Sequence, residues 1–268
     1  MAKTVQSCDL NIPPPTVNVF DRDFVALDLE MTGLDSNRDH IIEVGAVKFR
    51  GSRVIETLES YVNPYTPIPQ FVERLTGIHQ KDVETAPPFG VVAGILKEFV
   101  GSLPIIGHNV SFDLQFLARN GLTFSNTCYD TWDLASVLLP TGPEYSLSLL
   151  AKDLGIAHHR PHRALDDAQA TREVFLALLE RVEDLNPAVA DQIRLMSNKA
   201  RWSLGGLFET RDIDRAMESL GGIDIRDLES RLSKVATAKR PKETANLEEE
   251  AIAGVLSANG LLSQSFPD

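Results

Sequence analysis

Two acidic residues, Asp28 and Glu30, stand at the end of an otherwise apolar stretch of the sequence. The residues before them predict a buried β-strand, because they are apolar, include β-branched and aromatic side chains, and contain neither Gly nor Pro. Side chains two apart on a strand point to the same face, so these two carboxylates would lie side by side. Two negative charges so close together repel each other, and a bound divalent cation would relieve this repulsion. Alternatively, the strand has already ended, and both acids are solvated in a loop.

A second candidate, Asp113, lies in the first turn of a predicted helix that follows a short apolar strand. The junction between a strand and the next helix is where ligands collect in open α/β sheets. Asp113 could therefore join the first pair of carboxylates. Taken alone, it is more typical of an acid that stabilises the N-terminus of a helix.

A third group, Asp167 and His162, lies at the start of a long predicted helix. Asp167 shares a helix face with Thr171 and Phe175, and so should point towards the sheet, whereas Asp166 should be solvated. An inward-facing acid in the first turn needs a partner, and His162 comes one turn earlier. Taken alone, the pair is also explained as a capping acid and a surface histidine in a basic loop.

Taken together, these residues suggest a phosphodiester hydrolase that uses two metal ions. The set contains four carboxylates and one histidine: Asp28, Glu30, Asp113, Asp167 and His162. Carboxylate oxygens are hard ligands that select Mg²⁺ or Mn²⁺. Two such ions can hold the attacking and leaving oxygens of an in-line displacement. A histidine can accept a proton from the attacking water near neutral pH.

Composition limits the kind of protein that could carry this site. The chain has 268 residues, is 43% hydrophobic, and has a net charge of −12. This charge argues against a protein that coats nucleic acid by bulk electrostatics, but not against an enzyme whose bound metal ions supply local positive charge. We expect no membrane span, no secretion signal and no disulfide between Cys8 and Cys128, and so a cytoplasmic protein.

The elements that would position the site follow a simple order. After a Pro-rich tail at residues 1–20, three strands joined by short connections predict an antiparallel meander. Short strands then alternate with helices, which is typical of parallel pairing. We therefore predict an α/β fold with a mixed sheet, a meander followed by parallel strands, flanked by helices. The predicted module spans residues 21–185, followed by a helical extension at 186–232 and a linker with a short helix at 233–268.

Three stretches of the chain resemble the DnaQ-like 3′–5′ exonucleases of the DEDDh class, which have a ribonuclease-H-like fold. They read DLEMTGL at 28–34, HNVSFD at 108–113 and HRALDDA at 162–168. The stretches IIEVGAV at 41–47 and LTGI at 75–78 are also similar to that class. The resemblance implies release of nucleoside 5′-monophosphates from the 3′ end of single-stranded DNA or frayed ends, in DNA replication or repair.

The resemblance also implies a role for each site residue. Asp28 would bridge two Mg²⁺ or Mn²⁺ ions, Glu30 and Asp167 would complete the first metal site, Asp113 would serve the second, and His162 would be the general base. The implied nucleotide-binding residues lie beside the first and second motifs: Met31, Thr32, Gly33, Leu34, Asn109 and Phe112. Thr32 is expected to contact the terminal 3′-hydroxyl through its backbone, and Asn109 and Phe112 to support the second motif or line the pocket.

Two alternatives stay open. Met31 stands where proofreading-type members commonly have Thr, and the motif that contains it resembles oligoribonuclease, which degrades very short RNA. The second alternative is a non-catalytic module, which would only bind nucleic acid or dock a polymerase or helicase. Residues 256–268 are similar to the segment before the helicase core in exonuclease-fused DinG-like proteins, although the sequence has no Gly-x4-Gly-Lys-Ser/Thr phosphate-binding loop. We therefore expect either the exonuclease half of a helicase relative, whose residues 233–268 lead to a helicase module, or an ordinary helical tail. The resemblance also implies a polymerase or a DinG-like helicase as a partner.

Overall fold

The computed structural model describes residues 21–140, 144–200 and 202–208. Five strands form one sheet in the order β3-β2-β1-β4-β5. The strands are β1 (Asp23–Met31), β2 (Ile41–Arg50), β3 (Arg53–Tyr61), β4 (Ile105–Gly107) and β5 (Cys128–Asp130). The first three pair in antiparallel fashion, whereas β4 pairs in parallel with β1, and β5 in parallel with β4. The predicted order of a meander followed by parallel strands is therefore confirmed.

The helices of the described residues cover the two faces of this sheet. They are α1 (Gln70–Thr76), α2 (Gln80–Val83), α3 (Phe89–Val100), α4 (Val110–Arg119), α5 (Thr131–Leu138), α6 (Leu147–Asp153), α7 (Ala164–Glu183) and α8 (Pro187–Ala200), followed by a 3₁₀-helix (Ser203–Phe208). None of them combines the length and apolar character that a membrane span requires.

Alternation along β1 sends its side chains into two separate cores. Val25, Leu27 and Leu29 pack on one face with residues of α3 and α4. Phe24 and Ala26 pack on the other face with residues of α7. Asp28 and Glu30 continue this second row, so the two acids emerge where the apolar contact between β1 and α7 ends.

Helix α7 reaches the sheet closely because Gly45 on β2 has no side chain. A Cβ atom there would lie 2.1 Å from the carbonyl carbon of Ala164, the first residue of α7. Gly45 is also the cross-strand partner of Asp28. The first turn of α7 is therefore held beside the first acid of β1.

Beyond residue 185 the structure describes only part of the predicted extension. Helix α8 and the 3₁₀-helix lie in it, and Leu204, Leu207 and Phe208 pack into the same core as α7. The Ser203 hydroxyl also donates to the carbonyl of Cys128 on the edge strand β5, at 2.8 Å. The predicted tail at 1–20 and the segment 209–268, with the linker and its short helix, lie outside the described residues. The predicted boundaries stay predictions.

Candidate active site

The end of β1 presents two carboxylates in a strongly acidic cleft. Burial raises the pKa of Asp28 well above its usual range, and the charges of Asp113, Asp167 and Glu30 raise it further. Burial likewise raises the pKa of Glu30 to about 8, with contributions from the charge of Asp167 and of Glu43. Each acid thus lies within electrostatic reach of the others. The register of β1 against β2 shifts directly after Glu30, so the chain leaves the regular ladder at this point.

Asp113 reaches the cleft from the first turn of α4. The backbone N–H of Leu29 donates to its Oδ1 at 3.1 Å, which ties this carboxylate to β1 between the two acids of that strand. The side chain is buried, and burial raises its pKa. Since α4 begins directly after β4, the predicted junction between strand and helix is present, and it delivers the acid to the end of β1.

Asp130, at the end of β5, fixes the start of α4. Its carboxylate accepts hydrogen bonds from the backbone N–H groups of Asn109, at 3.0 Å, and Val110, at 2.8 Å. Asn109 has a φ of 65°, in the left-handed region, where Asn is tolerated better than most side chains. The exposed Asn109 thus shapes the backbone turn before α4. Phe112 packs edge-on against Phe116 in α4, with 5.2 Å between ring centroids.

Asp167 reaches the cleft from the first turn of α7. Its Oδ2 accepts the backbone N–H of His162 at 3.0 Å, and its Oδ1 is hydrogen-bonded to Nε2 of His158. Burial raises the pKa of Asp167, and the hydrogen bond from His158 opposes this shift. Asp166 was expected to be solvated, and this is wrong: its side chain is 13% exposed, because Arg160 covers it with an ion pair at 2.6 Å.

A buried ion pair holds the loop before α7 on the sheet. The fully buried Glu43 of β2 accepts from Arg163 Nη2 at 2.6 Å and from the backbone N–H of Ala164 at 2.9 Å. Arg163 also lies over the ring of Tyr61 and donates to its hydroxyl. Glu43 is the cross-strand partner of Glu30. The ion pair therefore fixes His162, which directly precedes Arg163, next to the acidic end of β1.

The donor set fits divalent cations. Ligand atoms of Glu30, His162 and Asp167 lie within 4.8 Å of one another, and these residues could hold a metal ion. Asp28 and Asp113 lie outside this tight group, although their charges act in the same cleft. Buried carboxylates gathered without an equal number of cationic partners are stabilised by bound cations. Oxygen ligands with one imidazole suit Mg²⁺ or Mn²⁺.

The predicted nucleotide-binding residues of the first motif form the turn after β1. Met31 is half-buried against the core, whereas Leu34 is 81% exposed. The Thr32 hydroxyl donates a hydrogen bond to the Asp39 carboxylate and accepts one from the backbone N–H of His40. The backbone N–H of Thr32 donates to the carbonyl of His40 at 2.9 Å. A backbone contact from Thr32 to a ligand hydroxyl would therefore use its carbonyl oxygen. Gly33 leaves room for Asp39, which a Cβ would approach to 2.5 Å.

Sequence reasoning missed three residues that shape the site: Glu43, His158 and Asp130. Glu43 carried a usable signal, because an acid in the middle of a two-sided apolar strand requires a buried partner. Asp130 ends a short strand just before a helix, which is typical of an N-cap. His158 carried no such signal, since it lies among several basic residues in a loop.

The raised carboxyl pKa values predict that the metal-free protein loses stability as pH rises. The folded form holds the proton on Glu30 up to about pH 8, but the unfolded form releases it near its ordinary value, 4.5. This contribution is therefore complete below about pH 4.5 and is lost as pH rises towards 8. We compare the melting temperature of the wild type with that of Glu30→Gln, both in EDTA. We expect the wild-type value to fall relative to that of the variant as the pH rises from 5.5 to 8. The fall should be roughly 2–4 °C for each kcal/mol of unfolding free energy that is lost.

Differential scanning fluorimetry of both proteins across this pH range checks the prediction. The variant is the control because its amide cannot titrate, so the difference between the two proteins contains only the pH dependence that requires Glu30. Added Mn²⁺ should raise the melting temperature of the wild type most at pH 8, where binding displaces the fewest protons. A difference that stays constant with pH would contradict the prediction.

A protein-family model and several curated proteins match this chain. The RNase_T family model, described as Exonuclease, matches residues 25–175. A DNA polymerase III PolC-type protein of Caldanaerobacter subterraneus is 38% identical over 169 residues, which are 61% of this chain and 12% of that protein. The 3′-5′ exonuclease DinG of Bacillus subtilis is 34% identical over 180 residues, 65% of this chain and 19% of that protein.

A third relative is matched over most of its length. The DNA polymerase III subunit epsilon of Aquifex aeolicus is 34% identical over 170 residues, which cover 62% of this chain and 84% of that protein. The chain thus spans about an eighth of the PolC-type relative and a fifth of the DinG relative.

Solved structures share the fold at low sequence identity. E. coli Exonuclease I in complex with a dT13 oligonucleotide gives a TM-score of 0.52 at 24% identity, over 64% of this chain and 43% of that chain. The nuclease domain of 3′hExo, a DEDDh family member bound to rAMP, gives 0.52 at 20% identity, over 59% and 92%. The predicted ribonuclease-H-like fold is therefore confirmed.

Proposed function

We propose, from the premise that this chain belongs to the exonuclease family, that it is a metal-dependent 3′–5′ exonuclease acting on single-stranded DNA or frayed ends. One observation carries the proposal: three separate elements, β1, α4 and α7, deliver four carboxylates to one cleft, with a histidine at its rim. The product would be a nucleoside 5′-monophosphate. Two Mg²⁺ or Mn²⁺ ions would be the cofactors, held by Asp28, Glu30, Asp113 and Asp167.

In this proposal the residues divide the work between binding and proton transfer. When bound, the two ions activate a water and stabilise the charge that develops on the scissile phosphate. Asp28 would hold metal together with the three other acids, whose charges raise its pKa. The exposed His162 ring would accept the proton of the attacking water, because its backbone is anchored while its side chain faces solvent. Cleavage breaks the bond between phosphorus and the 3′-oxygen of the preceding nucleotide.

The substrate side of the proposal rests on the turn after β1. Met31 and the exposed Leu34 would offer apolar contacts to the terminal nucleoside, and Asn109 and Phe112 would support the second motif or line the pocket. The PolC-type, epsilon and DinG relatives support DNA as the substrate. We infer on the same basis that the enzyme acts in the cytoplasm, in replication or repair, beside a polymerase or a DinG-like helicase.

A degradation assay tests the function directly. We expect the protein to shorten a 5′-labelled single-stranded DNA 20-mer one nucleotide at a time in Mg²⁺ or Mn²⁺, and EDTA to stop the reaction. A 20-mer with a 3′-phosphate should resist. Release of label from the 5′ end, or cleavage that persists in EDTA, would contradict the proposal. A protein that binds the 20-mer in Mn²⁺ without shortening it would instead be a non-catalytic module.

The oligoribonuclease-like alternative is favoured by Met31 and needs a matched comparison. The same assay should include an RNA 20-mer of identical sequence and RNA of two to five nucleotides. We expect the DNA 20-mer to be degraded faster than either RNA. A clear preference for the shortest RNA would replace DNA by short RNA as the substrate, while the metal chemistry of the site would stand.

A further inference from the structure

We infer that His158 is a positioning residue that holds the Asp167 carboxylate in place for metal binding, through a hydrogen-bonded chain that begins at Ser148 on α6. The inference rests on the proposed function, because it concerns the same metal site. None of the three motifs contains His158 or Ser148, and the loop that carries His158 lies between α6 and α7.

The geometry constrains both oxygens of Asp167. His158 Nε2 is hydrogen-bonded to Oδ1, and the backbone N–H of His162 donates to Oδ2 at 3.0 Å. The side chains of His158 and Asp167 are only 8% and 10% exposed. Water therefore competes little for these contacts, and together they fix the plane of the carboxylate.

The other ring nitrogen of His158 has its own partner. Nδ1 of His158 lies 3.2 Å from the hydroxyl oxygen of Ser148. A carboxylate can only accept, so Nε2 of His158 carries a hydrogen and donates to Asp167; in the neutral ring, Nδ1 then accepts from the Ser148 hydroxyl. The two contacts, one on each ring nitrogen, thus fix the orientation of the ring. Helix α6 is thereby connected to a metal-binding carboxylate of α7.

The two histidines near Asp167 have separate tasks. His162 uses its backbone N–H to hold Asp167, at a φ of 66° in the left-handed region, and its side chain faces solvent. His158 uses its buried ring for the same carboxylate. The ring of His162 is thus free for proton transfer, whereas the ring of His158 is committed to orientation. His159, the next residue along the chain, is exposed and serves as a matched control.

Loss of such an outer partner weakens metal binding by a known amount. Replacing a residue that hydrogen-bonds a metal ligand typically costs roughly 10–100-fold in metal affinity. Without His158, the Asp167 side chain keeps only its bond to the His162 N–H and can rotate away. We therefore expect the Kd for Mn²⁺ to rise by about 10–100-fold in His158→Ala. His158→Gln should recover part of this loss, because its amide N–H can reach Oδ1.

The test measures Mn²⁺ binding without nucleic acid, by isothermal titration calorimetry or by the EPR signal of free Mn²⁺. Wild type, His158→Ala, His158→Gln, Ser148→Ala and His159→Ala are compared. We expect wild-type affinity in His159→Ala and a weakening in Ser148→Ala smaller than that in His158→Ala. If His158→Ala does not fold, the Gln and Ser148 variants decide the question. Unchanged Mn²⁺ affinity in the folded His158 variants would overturn the inference.

A second measurement separates positioning from catalysis. The activity of His158→Ala should return to near the wild-type kcat at high Mn²⁺ concentration, since the defect is in metal loading. A loss of kcat that saturating Mn²⁺ does not restore would place His158 in proton transfer and overturn its positioning role. A wild type that binds Mn²⁺ but cleaves no nucleic acid would refute the proposed function while leaving the binding comparison intact.

Discussion

Asp28→Asn is expected to lower the rate of 3′–5′ degradation by roughly three orders of magnitude or more, the loss that corresponds to about 4 kcal/mol of transition-state stabilisation. The charges of Asp113, Asp167 and Glu30 all raise the pKa of the buried Asp28, so its carboxylate belongs to the same acidic cluster. An amide of the same size cannot supply the charge that divalent ions require. Single-turnover degradation of the 5′-labelled 20-mer in Mg²⁺ and in Mn²⁺ measures the effect.

The same substitution should stabilise the metal-free protein. Burial and the neighbouring acids disfavour the ionised form of Asp28 in the folded protein, and Asn does not bear this penalty, so the melting temperature in EDTA at neutral pH should rise above that of the wild type. Loss of activity with a gain in stability cannot be explained by unfolding. Asp23→Asn is the control, because Asp23 lies at the opposite end of β1 and pairs with Arg50 at the surface. Full activity in Asp28→Asn would refute the proposed metal site.

His162→Ala is expected to lower kcat by roughly 10²–10⁴-fold, the range for the loss of a general base. The variant keeps its backbone N–H, so the contact with Asp167 can persist and the carboxylate stays oriented. We therefore expect Mn²⁺ affinity within a few-fold of the wild type. When activity is measured against Mn²⁺ concentration, His162→Ala should reach a lower maximal rate at an unchanged half-saturating concentration. His158→Ala should instead reach nearly the wild-type maximum at a higher half-saturating concentration.

The placement of His162 makes this prediction decisive. Its ring lies within 4.8 Å of ligand atoms of Glu30 and Asp167, so a direct role in metal binding is the competing explanation. A large fall in Mn²⁺ affinity in His162→Ala would favour that role over proton transfer. His159→Ala controls for the change of a nearby histidine in the same loop. Unchanged kcat in His162→Ala would exclude it as the base.

The sequence predicted the parts of the site that depend on local periodicity. The alternation along β1 placed Asp28 and Glu30 on one face, and the structure has both in one row after Phe24 and Ala26. Helical spacing placed Asp167 towards the sheet, where it is found. Asp113 followed from the junction between a short strand and a helix. These features depend on neighbours in the chain, which is why they were accessible.

The parts that escaped prediction depend on contacts between distant residues. Glu43 and Arg163 are 120 residues apart, and nothing in either segment identifies the other as its partner. Helical geometry alone predicted that Asp166 faces water. It could not predict that Arg160 covers this side chain through an ion pair. His158 reaches Asp167 only because the loop after α6 returns to the start of α7. Tertiary packing decides all three.

The backbone N–H groups of Leu29 and His162 hold two of the acids in place. A main-chain donor is not removed when the side chain of its residue is substituted. The orientation of these two carboxylates is therefore set by the path of the backbone, and it should survive substitutions of the residues that carry the donors.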